Sequence, residues 1–170
     1  MRRNWLAPTA LATIALSVPM AAGAAQAAQA APLNGQQMTI ARPILYLSFN
    51  QKVAMYVKRL EGAPYEYGGT SPAGFDCSGL TQYVYRHFGR RIARTAEEQF
   101  REFRRISKAR AWGGDLVFFH VSSDPNSYVY HVGIYEGGDS MVAATHSGSD
   151  VKWQSFAWAG DTVTFGTITH

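Results

Sequence analysis

The chain has 170 residues, of which 46% are hydrophobic and 16% charged, and its formal net charge is +4 at pH 7. These values are typical of one ordinary globular domain. The single cysteine excludes a disulfide within the chain, and no paired His or Cys ligands stand at metal spacing, so we expect neither a metal nor another cofactor.

Residues 1–30 have the three parts of a secretory signal peptide. Arg2 and Arg3 precede the apolar run LAPTALATIALSV, and the small-residue tract that follows contains the Ala-x-Ala sites 25–27 and 28–30. The alternative is a membrane-anchoring helix, but the apolar run is shorter than the roughly 20 residues that span a bilayer. We therefore expect secretion to the extracellular space, cell wall or periplasm, with no transmembrane segment in the mature form.

Cleavage at this site would leave an N-terminal extension, residues 31–47, and one domain, residues 48–170. The lone Cys77 would then enter an oxidising compartment. There it is an intermolecular link, a buried small hydrophobe or a reactive thiol. Composition alone favours the buried thiol, because free cysteines are usually buried.

The first half of the domain predicts three helices separated by turn-forming segments. Ser48 and Gln51 have the spacing of a capping box, which marks the start of the first helix. The second helix covers residues 77–88 and follows a Gly/Pro-rich loop over residues 63–76. The third begins at Thr95 with the same capping signature. Each helix has apolar residues on one side at helical spacing.

From residue 113 onward, short apolar or alternating runs separated by turn residues predict strands. In chain order these runs are GDLVFFHV, YVYHVGIYE, SMVAATH, VKWQS and DTVTFGTIT. The second and third flank Gly137 and Gly138, which is a hairpin signal. Helices first and an antiparallel sheet afterwards predict an α+β fold, one layer packed on the other.

Positive charge is concentrated in residues 86–110, which carry nine Lys or Arg against three Glu. Residues 111–170 carry six acidic residues, with Lys152 as their one Lys or Arg. A one-sided basic patch attracts polyanions. For an exported protein we expect these to be anionic wall polymers or lipid headgroups, and no nucleic acid. The alternative is a solvated basic face.

The environment of Cys77 favours a reactive thiol over a core residue. It stands at the start of the second predicted helix, where unpaired backbone N–H groups and the helix dipole stabilise an anion. We therefore expect a lowered thiol pKa and N–H donors that face an oxyanion. Asp76 is the candidate N-cap, and Ser78 offers a hydroxyl beside the thiol.

A general base for Cys77 must come from the five histidines. His87 lies too far along the same helix to reach the thiol, and His170 is the last residue. His131 is the strongest candidate, because HVGIY places an imidazole at the entrance of a strand with apolar neighbours. The alternative is a histidine that only packs.

The segments GAPYEYGGTSPAGFDCSGLTQYVY, ARTAEEQ, GDLVFF and HVGIYEGGDSMVAA resemble, in order and spacing, the NlpC family of cell-wall cysteine peptidases. The resemblance runs from about residue 48 to 155. It implies a papain-like single domain, with the nucleophile on a helix and the base on the facing sheet. The implied activity is hydrolysis of the γ-D-glutamyl bond to a diamino acid in peptidoglycan stem peptides.

The resemblance also implies roles for individual residues. Cys77 is the nucleophile and His131 the base. Tyr65 matches a tyrosine whose hydroxyl helps to hold the oxyanion or the substrate. Asp76 and Ser78 match residues that help to bind the free amine end of a stem peptide.

The sequence departs from the family pattern at Ala143, where the family usually has a polar residue, most often His, that orients the base. The candidate substitutes are His146 and Thr145. A two-residue hairpin turn would bring His146 to the face of His131, whereas a three-residue loop would keep Ala143 there. We expect the second register, with Thr145, a backbone carbonyl or a water orienting His131, and a slower enzyme.

Three functions are compatible with these observations. The first is a secreted peptidoglycan endopeptidase. The second is an N-acetylmuramoyl-L-alanine amidase or another amidohydrolase, because one fold hosts several chemistries. The third is a non-catalytic domain that binds peptidoglycan, which Ala143 favours and the intact Cys77 and His131 oppose.

Overall fold

A computed structural model of the protein describes residues 46–169. The expected signal peptide and residues 31–45 of the expected extension lie outside this range. Within it, no helix is long and apolar enough to cross a membrane.

In the part of the chain that the structure describes, three α-helices precede most of the sheet, and each begins at the predicted cap. Ser48 and Gln51 form both arms of a capping box at the start of α1 (Phe49–Val57), which a short 3₁₀ turn extends to Leu60. Asp76 caps α2 (Cys77–His87), and Thr95 caps α3 (Ala96–Glu102) through a second capping box. These side chains accept hydrogen bonds from amides that the first helical turn leaves unpaired.

Within residues 46–169, six antiparallel strands form one sheet. The strands are β3 (Arg104–Ile106), β4 (Leu116–His120), β5 (Val129–Gly137), β6 (Ser140–Ala143), β7 (Lys152–Ser155) and β8 (Val163–Thr167). Their order across the sheet is β3-β8-β4-β5-β6-β7. The five predicted strands β4 to β8 are confirmed, and so is the α+β fold.

The sheet is buried on both faces, which explains the continuous apolar run of β4. On the inner face, Val53 and Leu80 of the helices pack in one cluster with Phe118 and Ile134. Neighbouring side chains point to the opposite face. Phe119 there joins a second cluster, whose other members are Val117, Tyr135, Met141, Ala143, Phe156, Ala159 and Phe165.

Two elements were not predicted. The Gly/Pro-rich loop contains a small hairpin of β1 (Thr70–Ser71) and β2 (Gly74–Phe75), so the prediction of a loop throughout residues 63–76 was wrong. The basic segment contains the edge strand β3, which pairs with β8. Both elements are only two or three residues long, and pairing partners rather than local pattern decide them.

Candidate active site

Cys77 is the first residue of α2, and a close approach of the preceding loop holds it there. The Asp76 amide donates to the Gly69 carbonyl oxygen at 3.1 Å, and a Cβ on Gly79 would lie 2.0 Å from that same oxygen. Only glycine at position 79 lets the loop cross the first helical turn. The glycine of the DCSG motif therefore has a packing role at the nucleophile.

The Cys77 thiol is half-buried, and its pKa is raised chiefly because burial disfavours the thiolate. The backbone N–H groups of Val132 and Ser78 act in the opposite direction and favour the thiolate. The prediction of a lowered thiol pKa was wrong for the unliganded site, because desolvation outweighs the helix-end amides. The contact with Val132 places the sulfur beside the strand residue that follows His131.

Asp76 is the centre of a polar cluster beneath Cys77. Its Oδ1 accepts from the Gly79 amide at 2.6 Å, and its Oδ2 accepts from the Gly68 amide at 3.0 Å. The Arg94 guanidinium donates to both carboxylate oxygens, at 3.0 and 2.5 Å, and to the Ser78 hydroxyl at 3.0 Å. A bidentate contact of this kind fixes the orientation of the carboxylate and pairs its charge with that of the guanidinium. Asp76 and Ser78 are therefore joined by an arginine that the sequence analysis had placed only in the basic patch.

His131 lies on β5, where it pairs with Phe119 of β4 and its ring centroid is 5.2 Å from that of Phe119. Burial lowers its pKa to about 4, since the apolar surroundings disfavour the imidazolium. Its Nε2 is buried and has no hydrogen-bond partner among residues 46–169. An enclosed Nε2 leaves Nδ1 as the candidate proton acceptor of this ring.

One open cleft of about 370 Å³ contains both predicted catalytic residues and Tyr65. Burial and the nearby thiol of Cys77 raise the pKa of the Tyr65 hydroxyl, which keeps this group a proton donor at neutral pH. The full lining is Tyr65, Cys77, Tyr130, His131, Met141, Thr145, His146, Lys152, Gln154 and Trp158.

The β5–β6 hairpin has the register that keeps Ala143 on the face of His131. Ile134 pairs with Val142 and Tyr135 with Met141, which aligns Gly133 with Ala143. The expected three-residue loop was wrong in detail: Gly137 pairs with Ser140, and a bulge between Tyr135 and Gly137 absorbs the difference. A methyl group therefore stands at the position for which the resemblance implies a polar residue.

Neither predicted substitute bonds to His131. Nδ1 of the exposed His146 lies 2.9 Å from the carbonyl oxygen of Ser147, its own neighbour. The Thr145 hydroxyl donates to Ser149 Oγ at 3.4 Å. Both side chains line the cleft, but no described residue forms a hydrogen bond with Nε2 of the imidazole.

Sequence reasoning missed six residues of the site: Arg94, Tyr130, Met141, Lys152, Gln154 and Trp158. The signal for two of them was available, because the alternation of VKWQS places Lys152 and Gln154 on one face of a strand. Arg94 and Trp158 reach the site only through tertiary contacts.

Comparison with known proteins identifies similar sequences. The family profile described as NlpC/P60 matches residues 62–166. The bifunctional muramidase/DL-endopeptidase CwlT of Bacillus subtilis is 40% identical over 126 residues, which are 72% of this chain and 37% of that protein. The murein DD-endopeptidase MepH of Escherichia coli is 37% identical over 100 residues, which are 56% of this chain and 36% of that protein. The chain thus spans about a third of the length of these relatives.

Solved structures with the same fold include the NlpC/p60 domain of the peptidoglycan hydrolase SagA. It aligns with a TM-score of 0.62 and 34% identity, over 71% of this chain and 100% of that domain. An NlpC/P60 family protein from Bacillus cereus aligns with a TM-score of 0.66 and 27% identity, over 72% of this chain and 41% of that one.

Proposed function

Because the chain belongs to the NlpC/P60 family of cysteine peptidases, we propose that it is a secreted peptidoglycan endopeptidase. The proposed bond is the γ-D-glutamyl bond to the diamino acid of murein stem peptides. One observation carries the proposal: Cys77, at the start of α2, opens into the same cleft as His131 of the sheet. A nucleophile and a base that share a cleft are the minimum that acyl transfer requires.

In the proposed reaction, His131 Nδ1 accepts the proton of the Cys77 thiol and the sulfur attacks the scissile carbonyl carbon. Charge moves to the carbonyl oxygen, where the first-turn amides of α2 and the Tyr65 hydroxyl would hold it. The C–N bond then breaks, and His131 Nδ1–H protonates the leaving amine. Water attacks the resulting thioester, which releases the new carboxyl group and restores the thiol.

The unliganded site favours the neutral thiol and imidazole, because the pKa of Cys77 is raised and that of His131 is lowered. In the proposed reaction, the thiol proton therefore moves to His131 as the sulfur attacks. The charges that form are the imidazolium of His131 and the oxyanion of the substrate. Because Nε2 of His131 has no partner within residues 46–169, no hydrogen bond from that range to this atom fixes the tautomer. We expect a slower enzyme than relatives that carry the polar third residue.

The proposed substrate places its acyl portion toward Asp76 and Ser78, which would bind the amine end of the stem peptide. Arg94 already neutralises the Asp76 carboxylate. An incoming ammonium must share that carboxylate with the guanidinium. The amine end is then recognised through the cluster as a whole and not through a free carboxylate.

Export and wall attachment complete the proposal. The N-terminal pattern supports secretion, and export would bring the chain to murein, the polymer in the name of one relative. We propose that exposed arginines of residues 86–110 hold the protein to anionic wall polymers. Arg86, Arg90, Arg91, Arg104, Arg105 and Arg110 are exposed.

Digestion of purified sacculi tests this function. The mature protein and its Cys77→Ala and His131→Ala variants are incubated with sacculi, and mass spectrometry identifies the bonds cleaved. Stem peptides cut after D-glutamate, absent with either variant, would support the proposal. Release of intact stems would indicate an amidase, and separated cross-links would indicate a DD-endopeptidase. Sacculus binding without release of any fragment would indicate the binding module that the missing third residue favours.

A further inference from the structure

Two grooves flank α1, on a part of the surface that the proposed reaction does not use. A groove of about 190 Å³ lies between α1 and the end of α2, where His87 and Phe88 line it. A second groove, of about 650 Å³, lies between α1 and the turn before β4, where Trp112 and Gly113 line it. The two grooves share no residue with the catalytic cleft.

The ridge between the grooves is apolar and partly exposed. Leu47 and Met55 line both grooves, and Met55 is 53% exposed. Tyr46, next to Leu47 in the chain, is 81% exposed, and Trp112 on the wall of the larger groove is 59% exposed. Single exposed apolar side chains are ordinary, but several that are gathered in one place mark an interaction surface.

Positive charge borders this ridge. Lys52 and Arg59 line the smaller groove together with Met55, which stands between them in the chain at helical spacing. Neither cation forms an ion pair with a residue in the range 46–169, and no acidic residue of that range lines either groove. A basic surface without acidic neighbours attracts an anionic partner.

The combination of charge and apolar surface favours a lipid membrane over other anionic partners. At an anionic membrane, Lys and Arg contact phosphates, while Met, Trp and Tyr side chains enter the boundary between headgroups and acyl chains. A wall polymer would neutralise the cations but leave the apolar ridge in water. A second copy of the same surface would bring like charges together.

We infer that this surface holds the domain on a membrane that contains anionic phospholipids. We call it the α1 surface, and its members are Tyr46, Leu47, Lys52, Met55, Arg59 and Trp112. The contact is interfacial and requires no spanning helix. It goes beyond the proposed function, because it involves no bond cleavage and no residue of the catalytic cleft.

Flotation of the mature protein with lipid vesicles tests the inference. One vesicle preparation contains phosphatidylcholine alone, and the other adds phosphatidylglycerol as the anionic component. We expect the partition coefficient to be at least about tenfold higher for the anionic vesicles and to fall as salt is added. Equal binding to both preparations, or binding to neither, overturns the inference.

Single substitutions locate the contact on the protein. Lys52→Gln and Arg59→Gln should each lower the partition coefficient about fivefold, the effect of one basic residue near an anionic membrane. Arg101→Gln is the matched control, because it removes the same charge from a residue that is paired with Glu97. A loss as large for Arg101→Gln as for Lys52→Gln would mean that net charge, and not the α1 surface, binds the vesicles.

Tryptophan fluorescence reports the apolar contact separately. After the expected cleavage site the chain has three tryptophans, Trp112, Trp153 and Trp158. Anionic vesicles should shift the emission to shorter wavelength as an indole leaves water. Trp112→Phe should remove this shift, whereas Trp153→Phe should keep it. A shift that survives Trp112→Phe overturns the inference.

Two other occupants of the α1 surface have distinct outcomes, and either one overturns the inference. If Lys52→Gln weakens binding to lipid-free sacculi but not to vesicles, the surface binds a wall polymer. A dimer in lipid-free buffer that Met55→Asp dissociates would assign the surface to a second copy of the chain. Cleavage of stem peptides is assayed separately, so a protein that binds vesicles but cleaves nothing contradicts the proposed function and not this inference.

Discussion

His131 and Ala143 lie on the same face of two adjacent strands, and the buried Nε2 of His131 has no hydrogen-bond partner within residues 46–169. In a nucleophile–base pair, a third polar group ordinarily holds the base in one tautomer. Here the corresponding position is a fully buried methyl group. The catalytic consequence of that methyl can be measured directly.

Restoring a polar group at position 143 should raise activity. We expect Ala143→Asn to increase kcat about tenfold, since a side-chain amide can bond to Nε2 and fix the tautomer. Ala143→Leu, which has nearly the same shape but no polar group, is the control for overpacking. Both variants should lose about 1–3 kcal/mol of stability. Equal kcat values for Asn and Leu would show that Nε2 needs no partner.

The stability of the protein should fall as the pH is lowered from about 6.5 to about 4. The pKa of His131 is about 4 in the folded protein and near 6.5 when unfolded, so the unfolded state binds the proton first. The contribution of His131 to the free energy of unfolding is fully present above about pH 6.5. At most about 3 kcal/mol of it is lost by about pH 4.

Urea unfolding between pH 4 and pH 7 measures this loss. His131→Gln should flatten the dependence, whereas the inactive Cys77→Ala should keep it because the imidazole is retained. A His131→Gln protein with the full slope would place the pH dependence elsewhere.

Removing the Arg94 guanidinium should destabilise the start of α2, where Asp76 caps the helix. Arg94→Met leaves the mostly buried Asp76 carboxylate without its two-pronged partner, and we expect a loss of about 2 kcal/mol. Arg101→Met, which breaks the exposed pair with Glu97, should cost at most about 0.5 kcal/mol. Chemical denaturation of both variants compares them, and equal losses would contradict a structural role for Arg94.

The crossing of the loop over α2 should tolerate no side chain at position 79. Gly79→Ala places a Cβ 2.0 Å from the Gly69 carbonyl oxygen, so the loop or the helix must move. We expect a loss of about 3 kcal/mol or more, and loss of activity through displacement of Cys77. Gly113→Ala is the matched control, because its Cβ would meet Ala54 at an ordinary 3.7 Å. Thermal unfolding and peptidase assays should separate the two; similar behaviour would mean that the loop adapts.

Local signals predicted most of the fold. Capping residues at Ser48, Asp76 and Thr95 determine where the helices begin, since the bonds they make span only three residues. Alternation and apolar runs identified β4 to β8, because the side-chain pattern of a strand is contained in its own few residues. The strand β3 and the β1–β2 hairpin escaped notice because so short a strand exists only when its partner is present.

Local sequence signals place a thiol at a helix start and a histidine on a strand, and the family resemblance implies a polar residue where this chain has Ala143. The state of those groups depends on the tertiary structure. Burial raises the pKa of the Cys77 thiol and lowers that of His131. Arg94 forms an ion pair with Asp76, and β7 brings Lys152 and Gln154 to the cleft. Desolvation and ion pairing depend on which distant segments come together, and strand register, not local pattern, determines that.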